Sequence, residues 1–194
     1  MTLGGNAPGI SVMPGIGDRT IVLVGLMGAG KSSVGRRLAT YLDLPFKDAD
    51  TEIETASNLT VPEFFERHGE DAFRDGERKV IARLLDGPQH VLATGGGAYM
   101  DDETRSLIRE RACSVWLRAD LETLLKRCLK RNTRPLLKTG DPRQILNDLM
   151  TKRYPVYSEA DIVVDSNDGP HEHVVQRIVK ALQSHTDTKA AIQS

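Results

Sequence analysis

The chain has 194 residues, 39% hydrophobic and 27% charged, enough for one well-cored domain and short for two. Its 26 basic and 27 acidic residues leave a net charge of −1, so no global charge attracts nucleic acid or an anionic membrane, and any anion site must be built locally. No run reaches the roughly 20 apolar residues of a spanning helix, and the N-terminus lacks the basic start and apolar core of a secretory signal.

The chain opens on "MTLGGNAPGISVMPGIGD", a Gly- and Pro-rich stretch that reads as a flexible extension over residues 1–18. One domain is expected over 19–184, then a tail over 185–194 that ends the chain with "HTDTKAAIQS". The first strand is expected at Ile21–Val24, and directly after it comes "GLMGAGKSS". That stretch fits G-x-x-x-x-G-K-[ST], with Gly25, Gly30, Lys31 and Ser32 at the fixed positions. Glycines let backbone N–H groups surround an anion, and the following helix adds a favourable dipole. Lys31 is placed to reach β- and γ-phosphates and Ser32 to ligate Mg²⁺. In "KSSVGRRLATYLD", Val34, Leu38, Tyr41 and Leu42 recur at helical spacing.

A second strand, Leu44–Lys47, leads into "KDAD". If that backbone is extended, Asp48 and Asp50 face the same way into a cleft; the alternative is an Asp-rich cap on the helix "TEIETA". "VPEFFERHGEDAFRDGERKVIARLLD" reads as two helices broken near Gly69. Within it Arg74 and Glu77 lie one turn apart, which by spacing alone favours a solvated ion pair. Gly76 sits inside this helical pattern with no functional account. The third strand, Val91–Thr94, ends in "TGGG", where Gly95, Gly96 and Gly97 allow either close approach of a small ligand or merely tight packing.

The remaining strands are expected at Ser114–Leu117 and Asp161–Val164. "DLETLLKRCLKR" carries Leu121, Leu124, Leu125 and Leu129 at helical spacing, and "RNTRPLLKTGD" follows as a basic, Pro-broken segment suited to a lid over 133–141. "KRYPVY" places Lys152 and Arg153 near a helix end, where cations also favour the dipole without any function. Cys113 and Cys128 match no metal or redox spacing and read as reduced thiols in a cytosolic protein. His171 and His173 have no further ligands to complete a metal site, and His68 and His90 read as surface residues at element ends. Strands alternating with helices imply a parallel sheet with right-handed crossovers, hence a three-layer α/β domain with ligands beyond the strands' carboxyl ends.

The ordered series "GLMGAGKSS", "FKDADTEIE", "EFFERHGEDAFRDGE", "VLATGGGA", "RNTRPLL" and "KRYPVYSEAD" resembles the shikimate kinase family over about Ile21 to Leu182. The resemblance implies a P-loop kinase fold, a five-stranded parallel sheet in order 2-3-1-4-5 flanked by helices, with a lid. It implies transfer of the ATP γ-phosphoryl group to the 3-hydroxyl of shikimate, with Mg²⁺, in a cytoplasmic enzyme for which nothing requires more than a monomer. By this likeness ATP lies against Gly28, Ala29, Gly30, Lys31, Ser32 and Ser33, with Arg127 and Pro170 at the adenine and Arg134 reaching the phosphates from the lid. Ser32 holds the metal and Asp48 its water shell. Asp50 binds the acceptor hydroxyls and acts as base. Arg74 and Arg153 clamp the shikimate carboxylate, Gly95 to Gly97 line the same pocket, and Phe65 and Phe73 form its apolar walls. Two other readings stay open: the same fold with another acceptor, such as gluconate or a nucleoside monophosphate, and a regulatory module that binds nucleotide without catalysis.

Overall fold

The computed structural model describes residues 16–130, 140–167 and 169–192. Five strands, β1 (Thr20–Val24), β2 (Phe46–Asp48), β3 (Val91–Ala93), β4 (Ala112–Arg118) and β5 (Ile162–Asp165), form one sheet in the order β2-β3-β1-β4-β5. Every pairing is parallel, with Ile21 beside Val91 on one side of β1 and Cys113 on the other. The order is that expected from the motif series. Ile21, Val22, Leu23 and Val24 are all fully buried, with no alternation, because helices cover both faces of a central parallel strand.

The helices are α1 (Lys31–Leu42), α2 (Ala49–Ser57), α3 (Val61–Leu85), α4 (Asp102–Arg111), α5 (Leu121–Lys130), α6 (Pro142–Tyr157) and α7 (His171–Ile192). Thr60 starts α3 with a reciprocal capping box to Glu63, and the helical path breaks at Gly69, where φ is 78°, as the sequence pattern indicated. Around Gly76 nothing lies within 4 Å of where a Cβ would stand, so packing does not require glycine there. In α1, Val34, Leu38, Ala39 and Leu42 face the core. Tyr41 is 59% exposed and in α5 Leu129 is 58% exposed, because each falls at the margin of its apolar stripe, where the adjacent face meets solvent.

Two boundaries differ in position from the sequence expectation. Ile16 is buried in the core, ahead of Arg19, and α7 continues to Ile192, beyond 184. His90 is also not a surface residue. It is 3% exposed, with Nδ1 3.2 Å from Thr20 Oγ1 and 2.9 Å from the Pro88 carbonyl oxygen, because the turn into β3 folds it beneath the start of β1. His68 is exposed, against the Phe64 ring. Cys113 and Cys128 are buried and not disulfide-bonded. Among the described residues no helix is long and apolar enough to cross a membrane and no cluster of three or more metal-ligating side chains occurs.

Candidate active site

The carboxyl ends of β1, β2 and β3 open onto one cleft of about 410 Å³ that holds both the phosphate loop and the triple-glycine loop. The phosphate loop is built tightly onto α5. A Cβ on Gly28 (φ 83°) would stand 2.9 Å from Cys128 Sγ and 3.1 Å from the Leu124 carbonyl oxygen, so only glycine fits. Lys31 Nζ donates to the carbonyl oxygens of Gly25 (2.7 Å) and Leu26 (3.1 Å), which folds the ammonium over the loop. Lys31, Ser32 and Ser33 line the cleft together with Gly28 and Gly30. Ala29 does not line it. Its side chain is 1% exposed, its N–H donates to the Leu26 carbonyl (3.1 Å), and its own carbonyl accepts from Ser166 Oγ (2.8 Å).

Asp48 serves two ends at once. One oxygen accepts from Ser32 Oγ at 2.7 Å, and the other accepts from the Asp50 N–H at 3.2 Å as the N-cap of α2. Asp48 and Asp50 therefore do not share one face of an extended segment, as the i, i+2 argument required. Asp50 lies in the first turn of α2, and both carboxylates reach the cleft because that helix begins at its wall. The two sequence alternatives, cap and cleft residue, are both realised in Asp48. Burial, and then the neighbouring Asp48 carboxylate, push the Asp50 carboxyl above the usual aspartate range against the pull of Lys31.

Arg74 and Glu77 are not a solvated pair. Arg74 Nη1 donates to Glu77 Oε2 at 2.6 Å, and the Glu77 side chain is only 3% exposed, because α3 turns this face toward the glycine loop. Glu77 Oε1 is buried with no hydrogen-bond partner, and a Cβ on Gly95 would lie 2.7 Å from it and 3.0 Å from Asp50 Oδ1. Burial raises the Glu77 carboxyl, opposed by the Arg74 charge. The glycine loop is framed by two guanidinium groups. A Cβ on Gly97 would stand 2.6 Å from Arg74 Nη1 and Nη2, and Arg153 Nη1 donates to the Gly96 carbonyl at 2.8 Å. Phe73 is buried and its ring lies 4.4 Å from that of Phe65, with both lining the cleft. Lys152, next to Arg153, is exposed.

The nucleotide side differs from expectation in two places. Arg127 lines the cleft, but its guanidinium is anchored to main-chain carbonyls: Nη1 to Ser166 (2.7 Å) and Gly28 (3.3 Å), Nη2 to Asn167 (2.9 Å). It ties the phosphate loop to the segment after β5. Pro170 is exposed ahead of α7, and the cleft wall there is His171 instead, because the chain enters its helix at that residue. Arg134 lies outside the described residues, as does most of the expected lid; Asp141 at its end caps α6. Sequence reasoning also missed Lys130, Thr94 and Tyr157. Tyr157 is four residues from Arg153 and fully buried, and that helical spacing was the available signal.

Residues 27–183 match the family model described as shikimate kinase. A shikimate kinase of Paramagnetospirillum magneticum is 59% identical over 174 residues, covering 90% of this chain and 89% of that protein. One of Rhodopseudomonas palustris is 57% identical over 174 residues, covering 90% and 86%. Among solved structures, the shikimate kinase of Acinetobacter baumannii in complex with shikimate superposes with a TM-score of 0.82 at 40% identity, covering 86% of this chain and 93% of that one.

Proposed function

The chain belongs to the shikimate kinase family, and from that premise we infer that it transfers the γ-phosphoryl group of ATP to the 3-hydroxyl of shikimate, releasing ADP. The observation that carries the acceptor assignment is the pair of guanidinium groups, Arg74 and Arg153, against the Gly95–Gly97 loop in the cleft that Asp50 also lines. A small ring with one carboxylate and three hydroxyls needs cations for its charge, a carboxylate and backbone N–H groups for its hydroxyls, and an apolar wall. Arg74 and Arg153 supply the first, Asp50 and the glycine loop the second, and Phe65 and Phe73 the third.

Phosphoryl transfer is mainly a matter of positioning and charge neutralisation. Lys31 exchanges the carbonyls of Gly25 and Leu26 for phosphate oxygens, and the backbone of residues 28–33 surrounds the phosphates; the role of a further phosphate cation, which the family resemblance gives to Arg134, falls outside the described residues. Asp50 accepts the proton of the 3-hydroxyl as that oxygen bonds to phosphorus and the bond to ADP breaks, and its raised affinity for a proton suits it to that role. Ser32 Oγ and the Asp48 carboxylate are hard oxygen donors 2.7 Å apart beside the loop. Mg²⁺ is held by one or two such protein oxygens together with waters and phosphate oxygens, and this pair fits that demand. When bound, the ion spreads the charge that develops on the β- and γ-phosphates. Arg127 and the Pro170 segment are assigned to the adenine side. We propose that the enzyme acts as a monomer in the cytoplasm.

The test is ADP release with Mg-ATP and, in turn, shikimate, gluconate, a nucleoside monophosphate or no acceptor. Release dependent on shikimate alone is expected. Release dependent on another acceptor would refute the pocket assignment, and release without any acceptor would refute the transfer.

A further inference from the structure

The carbonyl of Gly96 is held by two donors from one helix. Arg153 Nη1 takes it at 2.8 Å, and the Tyr157 hydroxyl donates to the same oxygen. The two residues are four apart on α6, so they lie on one helical face, and between them they occupy both lone pairs of the carbonyl. The Tyr157 ring has no freedom to follow a moving loop. It is fully buried, with the rings of Trp116, Tyr99 and Tyr154 6.0, 6.3 and 6.3 Å away. Burial pushes the Tyr157 hydroxyl up, so it remains protonated and able to donate throughout the neutral range. A trans peptide points its C=O and the next N–H in opposite directions. Holding Gly96 O toward α6 therefore turns the Gly97 N–H away from α6.

We propose that Tyr157 is a positioning residue for the acceptor: its bond to the Gly96 carbonyl locks the glycine loop and the Arg153 guanidinium in the geometry that receives the shikimate carboxylate. The proposal rests on the assignment of Arg153 and Gly95–Gly97 to shikimate. Without the hydroxyl, Arg153 alone must hold the loop, and it can do so only by giving up part of its own aim at the substrate.

Tyr154 supplies the internal control. It sits on the same helix in the same aromatic group, but its hydroxyl donates to the Ala119 carbonyl, away from the glycine loop. Calorimetric titration of the full chain with shikimate and, separately, with Mg-ADP should show that Tyr157→Phe weakens shikimate about five- to tenfold, as expected for one net hydrogen bond. Mg-ADP should stay within about twofold of the wild type, and Tyr154→Phe should change neither ligand by more than about twofold. Equal weakening of both ligands by Tyr157→Phe, an effect no larger than that of Tyr154→Phe, or failure of Tyr157→Phe alone to fold would each overturn it in favour of a purely structural role. Absence of shikimate binding by the wild type would instead remove the acceptor assignment beneath it.

Discussion

Replacing Arg153 by alanine separates the acceptor half of the cleft from the nucleotide half. The side chain is part-buried, donates to the Gly96 carbonyl and stands beside the glycine loop. Its removal does not orphan the Gly96 carbonyl, because Tyr157 still donates to it. The stability loss is therefore expected to be small, about 1 kcal/mol for a single net hydrogen bond. The binding loss is larger, since hydrogen bonds to a charged group contribute roughly 1.5–3 kcal/mol. At about 1.4 kcal/mol per tenfold, shikimate should weaken by roughly 10- to 150-fold. Lysine at this position should recover only part of that loss, because a point charge cannot grip a carboxylate with two parallel bonds. Steady-state KM values for shikimate and ATP, with thermal melts on the same samples, measure all three quantities. A KM for ATP that rises as much as that for shikimate, or an unchanged KM for shikimate, would refute the division of the cleft.

Three further outcomes follow from the same geometry. Lys31→Ala should lower turnover at least about 100-fold with the fold intact, since it removes a charge aimed at the transferring group; near-normal turnover would mean the loop has been misread. Asp50, raised by burial and by Asp48, binds protons more readily folded than unfolded, so the stability it contributes is fully present below the ordinary aspartate range and lost as pH rises through its folded value. Asp50→Asn should therefore raise Tm at pH 8 and abolish turnover, and in the wild type the acid limb of kcat/KM should lie above the ordinary aspartate range; a lower Tm would contradict the electrostatic argument. Gly76→Ala, at a helical position with open space around it, should stabilise by roughly 0.5–1 kcal/mol in denaturant melts, and a destabilised variant would show that this glycine has a conformational role.

The parts of this protein that the sequence alone determined are those set by neighbours in the chain. The phosphate loop is legible because its glycines, Lys31 and Ser32 act through local backbone geometry. The strands show as apolar runs because a doubly covered parallel sheet buries every residue of β1. The break at Gly69 and the helix starts follow from local φ preferences and capping. Tertiary structure decided what distant segments do to one another. Arg74 and Glu77 have the spacing of a surface pair, and only the approach of the glycine loop to α3 makes Glu77 a buried partner. Asp48 and Asp50 reach the cleft through the start of α2, not through strand alternation. His90 is buried because Thr20, 70 residues away, packs on it. Arg127 binds carbonyls 39, 40 and 99 residues distant, and Tyr157 reaches across 61 residues to Gly96. Periodicity tells which face of an element is apolar; which partner meets that face depends on how the layers close, and that is a property of the whole fold.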